Sequence, residues 1–394
     1  MCDLGRKLTA DVVIIGAGIV GASCAYALSC VGLAVHVVDA AAPARRTSGA
    51  CEGNLTLWDR PNSADLALAR WSNDRWAELA VELRDETGIN IEFDRKGGLM
   101  VASTEEDLAV AQSRCRWLSV EGVRSEWLAG SELRKAEPAL SPSVLAGAYF
   151  PNDAQLEPRL AVAALIAAAH RRGAVIHNYE PAHAIVAREP AMVQTLYHSI
   201  NAPWVVVAAG VWTPEVLRPL GIVLPVSARK GQIAVVAGAQ VKIRHKVAEV
   251  GYFLTVASEQ TNLQIAADIE STQAGTILVG SSRLTCRPDD RGTDLDVLRQ
   301  IVARSVELVP GLASGRIIRG YAGVRPMSPD HTPIVGPLPM LPHVIVATGH
   351  EGGGIMMGPG TGDLVAHFVA GTPSHSPTRP YLPDRLFDST SAVN

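Results

Sequence analysis

The sequence lacks the features that mark several classes of protein. Its 394 residues carry 35 Lys and Arg against 39 Asp and Glu, and this net charge of −4 gives no reason to expect nucleic-acid binding. No apolar run reaches the roughly 18 to 20 residues of a transmembrane helix, so we expect membrane contact only at the periphery or through a partner. Glycines interrupt the first apolar stretch, which begins at Val12. We therefore expect no signal peptide and a cytoplasmic location.

Cysteine is scarce, and its spacing is uninformative. The six cysteines are Cys2, Cys24, Cys30, Cys51, Cys115 and Cys286. None of their spacings is typical of zinc or iron–sulfur ligation, so we expect no metal site in this chain. We expect most of these thiols to be small core residues in a reducing cytosol.

What the sequence does contain is a glycine motif where a strand meets a helix. Residues 11–15 form a short apolar strand that runs into GAGIVG, with Gly16, Gly18 and Gly21 at the spaced positions. These glycines allow a tight turn, close approach of the backbone to a pyrophosphate, and packing of the helix on the strand. The next strand ends at Asp39, whose carboxylate suits an adenosine ribose and repels a 2′-phosphate. The motif favours FAD or NAD over NADP, against the alternative of a Gly-rich turn in an unrelated sheet protein.

Helix and strand patterns alternate along the rest of the chain. Buried parallel-type strands are predicted at 34–38, 174–177, 204–208 and 343–347, and helices at 160–170, 295–308 and 361–370. Antiparallel-type strands are predicted within 97–103, 223–236 and 276–282. We predict an α/β fold: a Rossmann-like nucleotide-binding domain built from discontinuous segments, plus an α+β substrate domain with an antiparallel sheet. The predicted boundaries are 1–80, 145–220 and 318–371 for the first, 81–144 and 221–317 for the second, and 372–394 for an irregular tail.

Four further motifs, in the same order, resemble the FAD-dependent D-amino-acid oxidase superfamily. They are VVVAAGVWT (205–213), LPVSARKGQ (224–232), GYAGVRPMSPDHTPIVGP (320–337) and ATGHEGGGIMMGPGTG (347–362). With the N-terminal glycines they cover nearly the whole chain. The resemblance implies FAD as the cofactor. It implies noncovalent binding, because Tyr321, Ala322 and Gly323 stand where sarcosine-oxidase-like members carry the attaching cysteine.

A narrower resemblance comes from SGACEGNL (48–55) and GHEGGG (349–354). This pair is similar to the catalytic β-type subunits of D-hydroxyproline dehydrogenase, opine oxidase and hydrogen cyanide synthase. It implies oxidation of the C–N bond of a small amino or imino acid, of D-hydroxyproline, opine or glycine type, by hydride transfer to flavin N5. Companion electron-transfer subunits of a hetero-oligomer, carrying FMN and [2Fe–2S], would take the electrons.

Two other functions remain open. One is a stand-alone glycine- or sarcosine-type oxidase that produces hydrogen peroxide, and the other is a flavin-binding subunit without catalysis. Sarcosine-type oxidases place a lysine above the flavin, and Leu278 aligns there in this chain. That difference favours a dehydrogenase over a fast oxidase.

The resemblance also gives roles to ionisable residues. Arg325 is expected to bind the substrate carboxylate through two parallel hydrogen bonds, in a bidentate contact. The alternative is that Arg325 forms a structural ion pair with Asp330. His350 and Glu351 are adjacent in a predicted flavin-facing loop, and Glu52 is placed to reach the substrate amine. Hydride transfer needs no dedicated base when the amine binds neutral, so positioning roles for these three are the alternative.

A larger set is expected to contact FAD. Glycines 352, 353, 354, 358 and 360, ahead of a helix predicted to begin at Thr361, would direct N–H groups at the flavin N1/C2=O edge. The full set is Gly16, Gly18, Ile19, Val20, Gly21, Asp39, Ala40, Arg45, Thr47, Ser48, Gly49, Gly53, Asn54, Leu55, Val175, Ile176, Ala208, Ala209, Gly210, Trp212, Arg325, Gly352, Gly353, Gly354, Ile355 and Met356.

Overall fold

The computed structural model describes residues 6–387, which form four β-sheets and nine α-helices. The strands are β1 (Arg6–Thr9), β2 (Val12–Ile15), β3 (Val35–Val38), β4 (Asn54–Leu55), β5 (Gly98–Ala102), β6 (Glu126–Ala129), β7 (Ala146–Phe150), β8 (Ala154–Gln155), β9 (Val175–His177), β10 (Ala184–Val186), β11 (Ala191–Gln194), β12 (His198–Ala202), β13 (Trp204–Val207), β14 (Ser227–Ala237), β15 (Lys246–Glu249), β16 (Gln264–Ser271), β17 (Ile277–Thr285), β18 (Arg316–Met327), β19 (Ile334–Leu338) and β20 (Leu341–Thr348).

The helices are α1 (Ile19–Cys30), α2 (Ser63–Thr87), α3 (Glu105–Val120), α4 (Gly130–Ala136), α5 (Pro158–Arg171), α6 (Thr213–Leu217), α7 (Val250–Val256), α8 (Leu295–Leu308) and α9 (Gly354–Ala370). Among the described helices, none has both the length and the apolar character needed to span a bilayer.

The first large sheet has six strands in the order β19-β20-β13-β2-β3-β9. All neighbours are parallel except β19, which runs antiparallel to β20. The strands are continuously apolar because both faces are covered: Val12 and Ile14 pack in the core that includes α1, whereas Val13 and Ile15 pack in the core that includes β11 and β12. This sheet draws its strands from three distant parts of the chain.

The second large sheet has eight strands in the order β18-β14-β17-β16-β15-β5-β7-β6. The predicted antiparallel sheet needs one correction, because β15 runs parallel to β5, with Val247 opposite Leu99. These strands lie far apart in the chain, so no hairpin forces them to be antiparallel. β7 and β18 hydrogen-bond in this sheet, and the boundaries predicted at residues 145 and 318 remain predictions.

Helix α9 begins at Gly354, seven positions before its predicted start. The sequence favoured a loop there because of its glycines, but the glycines are contact points between helices. A Cβ at Gly358 would lie 2.8 Å from Ser23 Oγ, and one at Gly362 would lie 2.6 Å from Ser23 O. Close packing of α9 on α1 therefore requires glycine and outweighs its low helix propensity.

The predicted tail, residues 372–394, is partly described. A 3₁₀ turn, Arg379–Tyr381, buries Tyr381, whose hydroxyl donates a hydrogen bond to Ala64 O at 2.8 Å. This contact holds the segment against α2. Residues 388–394, like residues 1–5 with Cys2, lie outside the described residues.

Candidate active site

A cavity of about 340 Å³ lies between the two large sheets. The carboxyl ends of β2, β3, β13 and β20 open into it from one side, and β14 and β18 line it from the other. In open α/β sheets, ligands bind at this end of the strands. The fold therefore brings segments from residue 15 to residue 355 to one site.

The glycine turn between β2 and α1 forms one end of the cavity. Gly16 has φ +111°, and a Cβ there would lie 2.8 Å from the carbonyl carbon of Ala208. A Cβ at Gly18 would face Ser48 Oγ at 3.1 Å. The Ser48 hydroxyl accepts a hydrogen bond from Ile19 N at 2.9 Å, at the start of α1. The open backbone and the positive end of α1 suit a pyrophosphate.

The carboxylate of Asp39 lies beside this turn. It accepts hydrogen bonds from Ala17 N at 2.6 Å and from Ala41 N at 2.7 Å. Burial raises the pKa of Asp39, and the two N–H groups oppose that shift. Pro181 and Ala182 line the cavity next to Asp39, although no local pattern in the sequence identifies them.

Most residues predicted to contact FAD line this cavity. They are Gly16, Gly18, Ile19, Val20, Asp39, Ala40, Arg45, Thr47, Ser48, Gly53, Asn54, Ala208, Ala209, Gly210, Trp212, Arg325, Gly352, Gly354 and Ile355. The four predicted catalytic residues, Arg325, His350, Glu351 and Glu52, line it too.

Seven predicted cofactor contacts lie elsewhere: Gly21, Gly49, Leu55, Val175, Ile176, Gly353 and Met356. Val175 and Ile176 belong to β9, the outer strand of the sheet, where Val175 is 41% exposed. Gly21 faces the carbonyl carbon of Gly16 at 2.9 Å, and thus serves packing of the helix on the turn. A Cβ at Gly353 would lie 2.5 Å from Met357 Cε, so that residue packs inward.

Arg325 lies at the end of the cavity away from the glycine turn. Its Nη1 donates to Ser282 O at 3.0 Å, and its Nη2 donates to Ser281 Oγ at 2.9 Å. Within residues 6–387, no other hydrogen bond is formed by this guanidinium, which carries five N–H donors. The alternative partner, Asp330, pairs instead with Arg385, at 2.7 Å from Nε. Arg325 therefore keeps donors for a ligand.

The charge around Arg325 favours an anion. Its neighbours Arg229 and Arg283 are buried, and both approach one carboxylate, Glu351, with Arg229 Nη1 at 2.9 Å and Arg283 Nε at 3.6 Å from Oε1. Burial and the charge of Arg283 lower the pKa of Arg325, which stays protonated at neutral pH. Glu351 cannot neutralise three arginines, and a bound carboxylate would reduce the surplus positive charge.

Glu351 is a structural anion. Burial opposes its ionisation, but the hydrogen bond with His331 and the charges of Arg283, Arg229 and Arg325 lower the pKa of Glu351 to about 2. It also adopts a left-handed φ of 45°, which is uncommon outside glycine. A carboxylate that stays ionised and fully paired is poorly suited to proton transfer near neutral pH.

His350 is buried and neutral. Burial lowers the pKa of His350 to about 3. Its Nε2 lies 2.8 Å from Thr361 Oγ1, and the Thr361 hydroxyl donates to Met357 O at 2.9 Å. The threonine oxygen therefore accepts the Nε2–H proton of His350. This arrangement favours the positioning role for His350, since it ties the loop before α9 to Thr361 within that helix.

The pKa of Glu52 is shifted in the opposite direction to that of Glu351. Burial and the nearby Asp268 raise the pKa of Glu52 to about 8, against the attraction of Lys246. Asn54 Nδ2 donates to Glu52 Oε2 at 3.0 Å, whereas Oε1 is buried and has no partner within the described chain. Gly280 leaves room for this carboxyl, because a Cβ there would lie 3.3 Å from Glu52 Cδ and closer still to Oε1. Glu52 lines the cavity, and its Oε1 is directed at Gly280 of β17.

Comparison with known proteins decides the family. The family described as DAO, FAD dependent oxidoreductase, matches residues 11–368. The chain belongs to this family. Glycine oxidase of Bacillus licheniformis is 27% identical over 369 residues, covering 92% of this chain and 94% of that protein. Glycine oxidase of Pseudomonas aeruginosa is 28% identical over 378 residues, with 94% and 98% covered. The crystal structure of glycine oxidase from Geobacillus kaustophilus has a TM-score of 0.87 at 26% identity, with 95% and 98% covered.

The α/β prediction and the prediction of FAD are thereby confirmed for this FAD-dependent oxidoreductase. The structure fits the cofactor. The glycine turn, Ser48 and Asp39 would hold its ADP half, and Gly352, Gly354 and the start of α9 would hold its flavin half. The narrower resemblance to β-type dehydrogenase subunits stays a prediction.

Several cavity residues were missing from the predicted set. Tyr252, from the short helix α7, lies over Arg283 with 4.7 Å from the guanidinium carbon to the ring centre. Gly231 and Ile233 reach the cavity from β14. Cys51 also lines it, and burial raises the pKa of this thiol to about 12, which disfavours a reactive thiolate.

Proposed function

We propose that this FAD-dependent oxidoreductase oxidises the C–N bond of a small amino or imino acid, with the substrate carboxylate bound by Arg325. The observation that carries the proposal is the buried guanidinium at the cavity wall, anchored by Ser281 and Ser282 and still holding donors. The two glycine oxidases above, similar over nearly their full length, support the same substrate class.

The protein's own groups orient the substrate. Arg325 would hold the carboxylate in a bidentate contact, and the carboxyl group of Glu52, which lines the cavity, would interact with the substrate nitrogen. When bound, FAD supplies the acceptor for the electron pair and the hydrogen of the Cα–H bond. Loss of that pair gives a C=N bond, which water hydrolyses to a keto acid and an amine.

Glu52 also has a role in the charge of the substrate amine. An amino acid enters mostly as an ammonium ion. Its nitrogen must lose a proton before the hydrogen on Cα can leave as hydride. A carboxyl group with a pKa near 8 can take that proton in the slightly alkaline range. Asn54 keeps the carboxyl in place through its bond to Oε2.

The cavity wall near Arg325 favours a small substrate. Tyr252 and Ile233 are both buried, and their side chains narrow the cavity near Arg325. Gly231 lies opposite Gly323 on β14 and β18, and the Arg325 guanidinium fills the space beside Gly231. A compact amino acid fits such a pocket better than a bulky one.

For the electron acceptor, we propose oxygen as the first candidate, because the relatives similar over their full length are named oxidases. The second candidate is a companion subunit, as the β-type resemblance predicts. A specific observation favours it: none of the residues that line the cavity in the described chain is a lysine.

The test is reduction of the purified, FAD-loaded protein without oxygen. We expect flavin bleaching by one or more of glycine, sarcosine, the proline and hydroxyproline isomers, and opines. Arg325→Ala should keep its flavin spectrum but require far more substrate, whereas Arg319→Ala, an exposed position on the same strand, should match wild type. Failure of every amino and imino acid to bleach the flavin would contradict the proposal.

The acceptor is tested separately with the best reductant. Rapid turnover with oxygen and one hydrogen peroxide per substrate identifies an oxidase. Rapid dye reduction with slow use of oxygen identifies a dehydrogenase, and copurification from the native source then shows whether companion subunits are bound.

A further inference from the structure

A cluster of histidines with one buried glutamate lies outside the cavity. His177 ends β9, His198 begins β12, and Glu180 lies in the loop after β9. One ligand atom from each lies within 4.8 Å of the others. His36, on the neighbouring strand β3, contacts the cluster through His177. None of these residues takes part in the proposed reaction.

One of two nitrogen–oxygen distances within the cluster matches the spacing between ligands of one metal ion. His177 Nδ1 lies 3.4 Å from Glu180 Oε2, and His198 Nδ1 lies 2.6 Å from Glu180 Oε1. A tetrahedral ion with bonds of about 2.0 to 2.2 Å places neighbouring ligand atoms about 3.3 to 3.5 Å apart. The His177 pair, which involves Oε2, has that spacing already, and the His198 pair, which involves Oε1, needs to open by about 1 Å. The His198 side chain is 23% exposed, so one side of it is open to solvent.

A second layer of hydrogen bonds holds the ligand groups. His177 Nε2 lies 3.1 Å from His36 Nδ1, and the Thr195 hydroxyl donates to Glu180 Oε1. When His177 donates from Nε2, its Nδ1 lone pair faces the carboxylate of Glu180, and a cation relieves that repulsion. Metal-binding histidines commonly use their second nitrogen in this way.

We propose that His177, Glu180 and His198 form a binding site for a divalent transition metal, with Zn²⁺ as the representative ion. Two imidazoles and one carboxylate form a ligand set that holds zinc while leaving a fourth position for water. The proposal departs from the expectation, based on cysteine spacing, that this chain has no metal site. Its ligands come from two separate strands and a loop, so no local motif reports them.

The site adjoins the adenosine end of the cavity. Glu180 N donates to Asp39 O at 2.7 Å, and Asp39 N donates to His177 O at 3.0 Å. An ion on His177 and Glu180 would therefore fix the backbone on both sides of Asp39. The next residues in the chain, Pro181 and Ala182, line the cavity. The site is placed to stabilise this end of the cofactor pocket.

The test uses FAD-loaded full-length protein without a polyhistidine tag. The protein is treated with a chelator, dialysed against Zn²⁺ or Mg²⁺, and its metal content is measured by mass spectrometry. We expect about one Zn²⁺ per chain and no Mg²⁺, because imidazole ligands do not favour magnesium. The variants are His198→Ala, which removes the most exposed ligand, and His36→Phe, which removes the supporting contact. The matched control is His375→Ala, since His375 forms an exposed pair with Asp363 at 3.0 Å.

His198→Ala should abolish stoichiometric binding, and His36→Phe should raise the zinc Kd about 10- to 100-fold. His375→Ala should bind as wild type does. FAD content and Tm without metal confirm that each variant is folded. Equal zinc content in His198→Ala and wild type, or no stoichiometric zinc in wild type, would overturn the proposal and leave a hydrogen-bonded cluster. Anomalous diffraction at the zinc edge gives a second test, with a peak expected among the three ligands.

Discussion

Replacing Gly231 with alanine should disable the substrate anchor without changing any group that touches the substrate. Gly231 lies on β14, and an ideal Cβ there falls 2.5 Å from Arg325 Cζ and closer still to both Nη atoms. Ordinary van der Waals contact begins near 3.4 Å, so the guanidinium must move by about 1 Å. The neighbour that must give way is the planar charged group itself, held by Ser281 and Ser282.

The expected loss follows from that displacement. Misplacing a positioning group by about 1 Å costs roughly 10²-fold in rate, and a hydrogen bond to a charged group is worth about 1.5 to 3 kcal/mol. We therefore expect Gly231→Ala to lower kcat/KM by about 10²- to 10³-fold, or about 3 to 4 kcal/mol. FAD binding should persist, because the glycine turn and Asp39 lie at the other end of the cavity.

The assay is anaerobic flavin reduction by stopped flow over a range of substrate concentrations. Gly320→Ala is the matched control, since its Cβ would meet the flexible end of Leu298, at 2.6 Å from Cδ1, outside the cavity. A Gly231→Ala protein that reduces its flavin with wild-type affinity and rate would refute the placement of Arg325 as the anchor.

Three further predictions concern the cofactor turn and the two glutamates. Gly16→Ala should abolish FAD retention because of the overlap with Ala208, whereas Gly32→Ala, also at positive φ but with nothing within 4 Å, should retain FAD and lose only about 1 kcal/mol. In wild type, kcat/KM should rise as the pH increases through about 8, and this rise should be absent in Glu52→Gln. If the variant shows the same rise, the rise reports ionisation of the substrate amine and not of Glu52. Glu351→Gln should be less stable to urea than wild type by about 3 kcal/mol at pH 7. That gap should close as pH falls from 4.5 toward 2, because the lowered pKa stabilises the fold only while Glu351 is ionised; a gap independent of pH would contradict this.

The sequence was most informative where structure is determined locally. One βαβ unit contains the GAGIVG turn, the strand before it and Asp39. The residue types in this unit are enough to predict its local structure. Arg325 followed from a resemblance, and the structure excluded its alternative because Asp330 has its own arginine. Predictions were weakest where distant segments meet.

The start of α9 illustrates this weakness. Gly358 and Gly362 disfavour a helix by propensity, and only their contact with Ser23 on α1 explains why the helix forms. Pro181 and Ala182 reach the cavity because β9 pairs with β3. This pairing joins segments that are far apart in the chain, so no short stretch of sequence predicts it. The parallel pairing of β5 with β15 was missed for the same reason.

The six-stranded sheet also constrains how the protein is made. Its strands come from residues 12–38, 175–207 and 334–348, so the ribosome must reach residue 348 before the last strands can pair. The glycine turn is made more than 300 residues before the start of α9. Pairings between such distant segments form slowly because of the loop-closure entropy. FAD would therefore bind with full contacts only after the first residues of α9 have been made, and a nascent chain stalled before residue 350 would hold half a cofactor site.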